Sequence, residues 1–152
     1  MASELQRAYD VCQGITKTRA KNFYYAFRTL PAHQRRAIYV AYAFCRLCDD
    51  IADGETNVEY KRTRLAETKD LLKERLSSES TDPVFHAVHD IITTFSIPID
   101  LFKDVVDGVE MDLTIPQFTT FDQLRDYCYG VASAVGLISI EEFGYDDDAA
   151  KE

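Results

Sequence analysis

The run from Ala32 to Asp53 constrains the fold most, because it holds no Gly or Pro and is apolar on most of its sides. This pattern predicts one long helix with other helices packed around it. Pro31 suits the first helical position, where a missing N–H costs nothing. At 3.6 residues per turn, one polar stripe runs along this helix. The stripe consists of Tyr42, Arg46, Asp49 and Asp53.

Asp49 and Asp53 are separated by one helical turn, so their like charges repel each other and resist burial. One interpretation places both carboxylates in solvent at the helix end. The other points them into a wet cavity, where they hold a hard divalent cation. Mg²⁺ is the best candidate, since it prefers carboxylate oxygens and often reaches proteins through one or two carboxylates and the phosphates of a substrate.

The rest of the sequence also reads as helix, and no segment shows the alternation typical of a strand. Gly108 in the middle of a helix predicts close packing or a bend. We expect about six helices, which makes the fold class all-α. Their approximate bounds are 3–28 with a break near Gly14, 32–53, 57–77, 83–95, 98–113 and 121–143, with a polar loop at 77–81.

With 152 residues the chain has the length of one domain. Its net charge of −9 argues against nucleic acid as a partner. An anionic substrate would need metal ions to screen an acidic cavity. The N-terminus lacks a signal segment and no stretch approaches 18 apolar residues, so we expect a cytoplasmic protein.

Five separated motifs together resemble the squalene/phytoene synthase family, in register from about residue 15 to 145. The motifs are Arg19-Ala-Lys-Asn-Phe-Tyr-Tyr-Ala-Phe27, Leu30-Pro31, Tyr42-Ala-Phe-Cys-Arg-Leu-Cys-Asp-Asp-Ile-Ala-Asp53, Gly108-Val-Glu-Met-Asp-Leu113 and Tyr127-Cys-Tyr-Gly-Val-Ala-Ser-Ala-Val-Gly-Leu137. The resemblance implies an isoprenoid-synthase-type helical bundle around a central cavity, with residues 1–152 as its N-terminal half. It also implies head-to-head joining of two prenyl diphosphates, C15 or C20, through Mg²⁺-assisted ionisation of an allylic diphosphate.

The resemblance assigns roles to individual residues. Asp49 and Asp53 would bind Mg²⁺, and Arg46 would contact diphosphate. Tyr127 would act with these three in catalysis. The expected substrate-binding residues are Arg19, Phe23, Phe27, Tyr42, Asp112, Val131 and Val135. NADPH enters only if a reductive second step follows, and no feature of the sequence indicates one.

Two features depart from the family pattern. The second aspartate-rich motif of the family, N-x-x-x-D-x-x-x-D, is not present in this sequence, and Asp146–Asp148 is a poor substitute. Glu142 continues an apolar face formed by Val131, Val135 and Ile138. We therefore expect the chain to pair with a complementary chain or to self-associate. We also expect it to associate with a membrane surface when product is released. The alternatives are a non-catalytic prenyl-lipid-binding or regulatory subunit, or a class I terpene enzyme of another reaction type.

Overall fold

The structure, a computed structural model, describes residues 3–74 and 82–152, and within these ranges it contains helices and no strand. This confirms the all-α prediction. The helices are α1 Glu4–Arg19, α2 Lys21–Phe27, α3 Ala32–Asp53, α4 Val58–Lys73, α5 Pro83–Phe95, α6 Ile99–Thr114, α7 Phe121–Cys128 and α8 Ala134–Phe143. A π-helical turn, Tyr129–Ser133, joins α7 to α8, and a 3-10 turn covers Asp148–Lys151.

Helix α3 lies at the centre, as its apolar sides predict. It packs against α1, α5, α6 and α8, and eight of its residues are buried. The Phe44 ring meets the Phe102 ring edge to face, with centroids 5.2 Å apart, and meets the Phe85 ring in the same way. Because α3 is covered on several sides, it contributes residues to the walls of two cavities that lie on different faces of it.

The first helical segment does not break at Gly14, so that prediction is wrong. Helix α1 continues through Gly14 and buries Ala8, Cys12 and Thr16 along one face. A glycine inside a helix costs only about 1 kcal/mol, which this burial offsets. The chain bends instead at Ala20, where φ is −144° and ψ is 62°, and α2 starts in a new direction.

Local capping chemistry explains where three of the helices begin. The Asn57 side chain accepts a hydrogen bond from Tyr60 N at 2.8 Å, and the Asp82 side chain accepts one from Val84 N at 2.8 Å. Thr120 Oγ1 accepts one from Gln123 N at 3.2 Å. These side chains satisfy N–H groups that have no partner within the helix. Helix α4 ends at Lys73, and the loop predicted at 77–81 lies outside the described residues.

Helix α6 and the π-helical turn touch through their backbones. A Cβ atom at Gly108 would lie 2.8 Å from the carbonyl carbon of Gly130, and one at Gly130 would lie 2.7 Å from Gly108 Cα. This confirms the close packing predicted at Gly108. The π-helical turn, which the sequence analysis did not predict, lies where the two elements are closest.

Candidate active site

An apolar cavity of about 330 Å³ opens between α2, α3, α6, the π-helical turn and α8. Two of its side chains, Phe23 and Phe27, stack with ring centroids 5.8 Å apart. Its lining is mostly apolar, and the polar groups on it are the Tyr42 hydroxyl, the Asp49 carboxylate and the Ser139 hydroxyl, so an apolar chain fits it chemically. The lining residues are Phe23, Phe27, Ile38, Ala41, Tyr42, Cys45, Asp49, Val105, Val109, Val131, Val135 and Ser139.

All five apolar or aromatic residues that the resemblance assigned to substrate lie on this one cavity, namely Phe23, Phe27, Tyr42, Val131 and Val135. They come from α2, α3, the π-helical turn and α8, which are distant in sequence. Val105 and Val109 of α6 and Ser139 of α8 also line the cavity, and the sequence analysis missed them. The two valines could have been identified from the sequence, because they lie one helical turn apart and on either side of Gly108.

Asp49 is the carboxylate that lines the cavity. Its side chain is 51% exposed, and the Asp53 side chain, at the end of α3, is 74% exposed and does not line the cavity. Burial raises the pKa of the Asp49 carboxyl above its usual value, Arg46 lowers it, and Asp53, Asp50 and Asp112 raise it again. Three further acids therefore act on Asp49, and a cation beside it would relieve this repulsion.

Arg46 ties the acidic residues of α3 together. Its Nε and Nη2 donate to Asp50 Oδ1 at 2.9 and 2.7 Å, and its Nη2 donates to Asp53 Oδ2 at 3.3 Å. These bonds to Asp50 are the main reason that the pKa of Arg46 is raised. Asp50 was not among the site residues predicted from the sequence, although its spacing of four residues from Arg46 favours this pair.

Arg19 lies away from the apolar cavity. Its Nη2 donates to Asp50 Oδ1 at 3.0 Å, so Asp50 receives two guanidinium groups. Both Arg19 and Arg46 line a second cavity of about 650 Å³, bordered by α1, α3, α4 and α5. The polar residues predicted to share one site are thus divided between two faces of α3.

Asp112 and Tyr127 meet at the end of α6. The Tyr127 hydroxyl donates to Asp112 Oδ2 at 3.3 Å, and its ring packs against Phe118 with centroids 4.9 Å apart. Burial raises the pKa of the Tyr127 phenol, and the hydrogen bond to Asp112 raises it further. Gly108 and Gly130 bring α6 against the π-helical turn, and each lies within one helical turn of this pair.

The donor set fits a hard cation only in part. Within residues 3–74 and 82–152, no three His, Cys, Asp or Glu side chains converge on a ready-made metal position. Asp49 and Asp53 nevertheless offer carboxylate oxygens one helical turn apart, and Asp112 is close enough to affect Asp49. Mg²⁺ commonly binds one or two carboxylates and completes its shell with water and substrate phosphate. The carboxylates present suit that kind of site.

None of the helices in 3–74 and 82–152 is both long and apolar enough to span a bilayer.

Comparison with known proteins gives a consistent family. The squalene/phytoene synthase family model matches residues 16–152. The chain is 37% identical to a phytoene synthase of Mycobacterium tuberculosis over 144 residues, covering 93% of this chain and 46% of the relative. It is 39% identical to a 4,4'-diapophytoene synthase of Staphylococcus haemolyticus, covering 91% of this chain and 49% of the relative.

Solved structures agree with the sequence matches. Squalene synthase HpnC from Alicyclobacillus acidocaldarius superposes with a TM-score of 0.85 at 30% identity, covering 98% of this chain and 56% of that one. A dehydrosqualene synthase in complex with ligand superposes with a TM-score of 0.79 at 31% identity, covering 91% of this chain and 48% of that one. The chain spans about half the length of the relatives it matches, and over that length it belongs to the squalene/phytoene synthase family.

Proposed function

We propose that this chain forms part of an enzyme that joins two prenyl diphosphates head to head into a squalene- or phytoene-type hydrocarbon. The relatives named as phytoene and diapophytoene synthases support this class of reaction. Both C15 and C20 substrates fit the proposal, because chain length depends on the depth of the complete cavity.

One observation carries the proposal furthest: the apolar cavity has a single carboxylate, Asp49, in its lining. A prenyl diphosphate has an apolar tail and an anionic head, so its binding site needs a water-excluding wall beside a cation-holding group. Phe23 and Phe27 supply aromatic faces, which also stabilise the positive charge of an allylic cation. The other residues of the wall exclude water from that cation.

The polar residues hold and orient the diphosphate head. Bound Mg²⁺ would neutralise the departing diphosphate, with Asp49 and Asp53 as its protein ligands. Arg46 contacts the diphosphate, and its bonds to Asp50 and Asp53 keep its guanidinium beside those carboxylates. Arg19 approaches the same region through Asp50. The Tyr127 hydroxyl, bonded to Asp112, positions a polar group near the leaving diphosphate.

A second aspartate-rich motif must come from further polypeptide, because this sequence has no N-x-x-x-D-x-x-x-D. Two substrates bring two diphosphates, and the Asp49 side of the cavity serves one of them. A complementary chain that carries this motif would supply the remaining wall. The reaction takes place in the cytoplasm in this proposal, and the hydrocarbon product leaves at a membrane surface.

The test measures whether the apolar cavity binds the prenyl tail. Val135→Glu places a carboxylate in the cavity wall, whereas Gly136→Ser alters the next residue, where an added Cβ meets no atom within 4 Å. We expect Val135→Glu to lower the affinity for farnesyl and geranylgeranyl diphosphate to that for inorganic diphosphate, while Gly136→Ser binds like the unmodified chain. Equal affinity in both variants would place the tail elsewhere.

A non-catalytic prenyl-lipid-binding subunit is the second candidate. It is favoured by the position of Asp53, which is largely exposed and bonded to Arg46 instead of lining the cavity. Both candidates predict tail binding. Mass spectrometry of products made by the chain with its complementary polypeptide separates them, because a binding subunit leaves the diphosphates intact.

A further inference from the structure

Positive charge is concentrated in one part of a chain whose net charge is −9. Between Asp10 and Asp49 the sequence has seven Lys and Arg residues and no Asp or Glu. The segment comprises most of α1, all of α2 and most of α3. The acidic excess therefore belongs to the rest of the chain, and the two parts have opposite electrostatic character.

Five of these cations have no carboxylate within 4.0 Å in the described ranges, whereas Arg19 and Arg46 both pair with Asp50. The unpaired cations are Lys17, Lys21, Arg28, Arg35 and Arg36. Elsewhere on the described surface ion pairs are common, and α4 alone contributes five. The positive potential of this region is therefore not neutralised by carboxylates of the described residues, and it can attract an anionic partner.

Contacts join several of these cations and two tyrosines into one surface. Lys17 Nζ lies 5.7 Å from the ring centroid of Tyr24, and the Tyr24 and Tyr25 rings meet edge to face at 5.2 Å. Arg28 Cζ lies 6.0 Å from the Tyr25 ring, and Arg35 Nη1 donates to the Arg28 carbonyl at 3.2 Å. We call these five residues the basic–aromatic surface.

The basic–aromatic surface is separate from the apolar cavity, which α2 lines with Phe23 and Phe27 and not with either tyrosine. Helix α2 has no buried residue and packs mainly against α1 and α3, so it forms a ridge. Tyr25 is 57% exposed on this ridge. One short helix therefore presents a cavity wall on one side and an exposed aromatic residue between cations on another.

We infer that the basic–aromatic surface docks the protein on an anionic phospholipid membrane. Lys and Arg near a membrane are attracted by anionic headgroups, and tyrosine is favoured at the interface because its ring is apolar and its hydroxyl is polar. An acidic protein partner would account for the cations but not for the exposed ring. The acidic remainder of the chain is repelled by the same headgroups, which orients the molecule.

This inference deepens the proposed function, because it names where the protein meets the lipid that receives a hydrocarbon product. Phe23 of the apolar cavity lies on the same seven-residue helix as Tyr25. Docking through α2 would therefore bring the cavity close to the membrane. The binding of vesicles can nevertheless be measured without catalysis.

The test is flotation of the 152-residue chain with vesicles of phosphatidylcholine alone or of phosphatidylcholine mixed with phosphatidylserine. We expect binding to the anionic vesicles only, and weaker binding as salt rises. The triple variant K17Q/R28Q/R35Q should bind about 100-fold more weakly, since each charge contributes about fivefold near a membrane. The control K61Q/K73Q/R125Q removes the same charge elsewhere and should retain binding.

Tyr25→Ser checks the aromatic contribution, and we expect a smaller loss of vesicle binding that persists at high salt. Equal binding to neutral vesicles, equal loss in the control triple variant, or full binding by K17Q/R28Q/R35Q would overturn the inference. Sedimentation without vesicles tests whether the surface binds a second copy instead. If the unmodified chain is a dimer and K17Q/R28Q/R35Q is the one variant that becomes a monomer, the surface is a dimer interface and the inference is wrong. Farnesyl diphosphate binding by that variant should be unchanged, so failure of docking and failure of the proposed function are distinguishable.

Discussion

Glu142 places a carboxyl group in the interior, where the residue is 2% exposed and neither oxygen has a hydrogen-bond partner among the described residues. Burial raises the pKa of this carboxyl from 4.5 to about 8. The apolar face formed with Val131, Val135 and Ile138 explains why the side chain points inward. Its chemistry does not suit that position, because a buried polar group without a partner is costly.

The pH dependence of unfolding should reveal Glu142. The pKa of Glu142 is raised in the folded state, so the folded protein holds this proton more tightly than the unfolded chain does. The contribution of the bound proton to the free energy of unfolding is therefore complete below pH 4.5 and is lost as pH rises through about 8. At pH 7 the free energy of unfolding should be lower than below pH 4.5 by about 3 kcal/mol from this group alone. Urea titrations from pH 5 to 8 should therefore show wild type losing stability relative to Glu142→Gln.

The neighbouring Glu141 supplies the control, because it pairs with Lys151 at 2.7 Å. Glu141→Gln should follow the wild-type pH profile. If Glu142→Gln also follows it, the Glu142 carboxyl reaches solvent or a partner and is not an unsatisfied buried acid.

At the scale of elements, the contact between Gly108 and Gly130 places Asp112 beside Tyr127. Gly108→Ala should lower the free energy of unfolding by about 1–3 kcal/mol, because the new Cβ would meet backbone atoms that cannot rotate away. Gly136→Ala is the matched control, since a Cβ there meets nothing within 4 Å and alanine favours helix. Denaturant unfolding of both variants tests this. A Gly108→Ala protein as stable as Gly136→Ala would mean that α6 and the π-helical turn are not in backbone contact.

The predicted helix boundaries agree best with the structure where residues at the boundary itself determine them. Pro31 and Gly54 bound α3, and Asn57, Asp82 and Thr120 begin α4, α5 and α7. The break at Ala20 and the π-helical turn were missed. The turn lies at the backbone contact between α6 and Gly130, which no local pattern encodes.

The candidate site was predicted in the same uneven way. The family motifs identified five of the apolar or aromatic residues that line the apolar cavity, whereas Val105, Val109 and Ser139, which lie outside the assigned positions, were missed. The orientation of Arg46 was not predictable, since it depends on competition between Asp49, Asp50 and Asp53 for one guanidinium group. Similarly, Arg19 could be placed only when the bend at Ala20 was known.

For the whole molecule, exposed apolar side chains predict association. Phe121 is 75% exposed, and Phe23, Leu124 and Tyr129 are also exposed. Large apolar side chains in water favour burial against a partner. In sedimentation velocity runs we expect the purified chain to self-associate in a way that salt does not weaken. Phe121→Ser should reduce this, whereas Val58→Ser on α4 should not. A monomer at every concentration would contradict the prediction.

We propose that Asp49, at the apolar cavity, holds the cation that binds a prenyl diphosphate. The most direct measurement is Mg²⁺-dependent binding of farnesyl diphosphate by the unmodified chain, Asp49→Asn and the exposed-acid control Asp70→Asn. We predict that Asp49→Asn weakens this binding at least about tenfold, or 1.4 kcal/mol, while Asp70→Asn and the thermal stability of both variants stay close to wild type. Undiminished Mg²⁺-dependent binding by Asp49→Asn would contradict the claim.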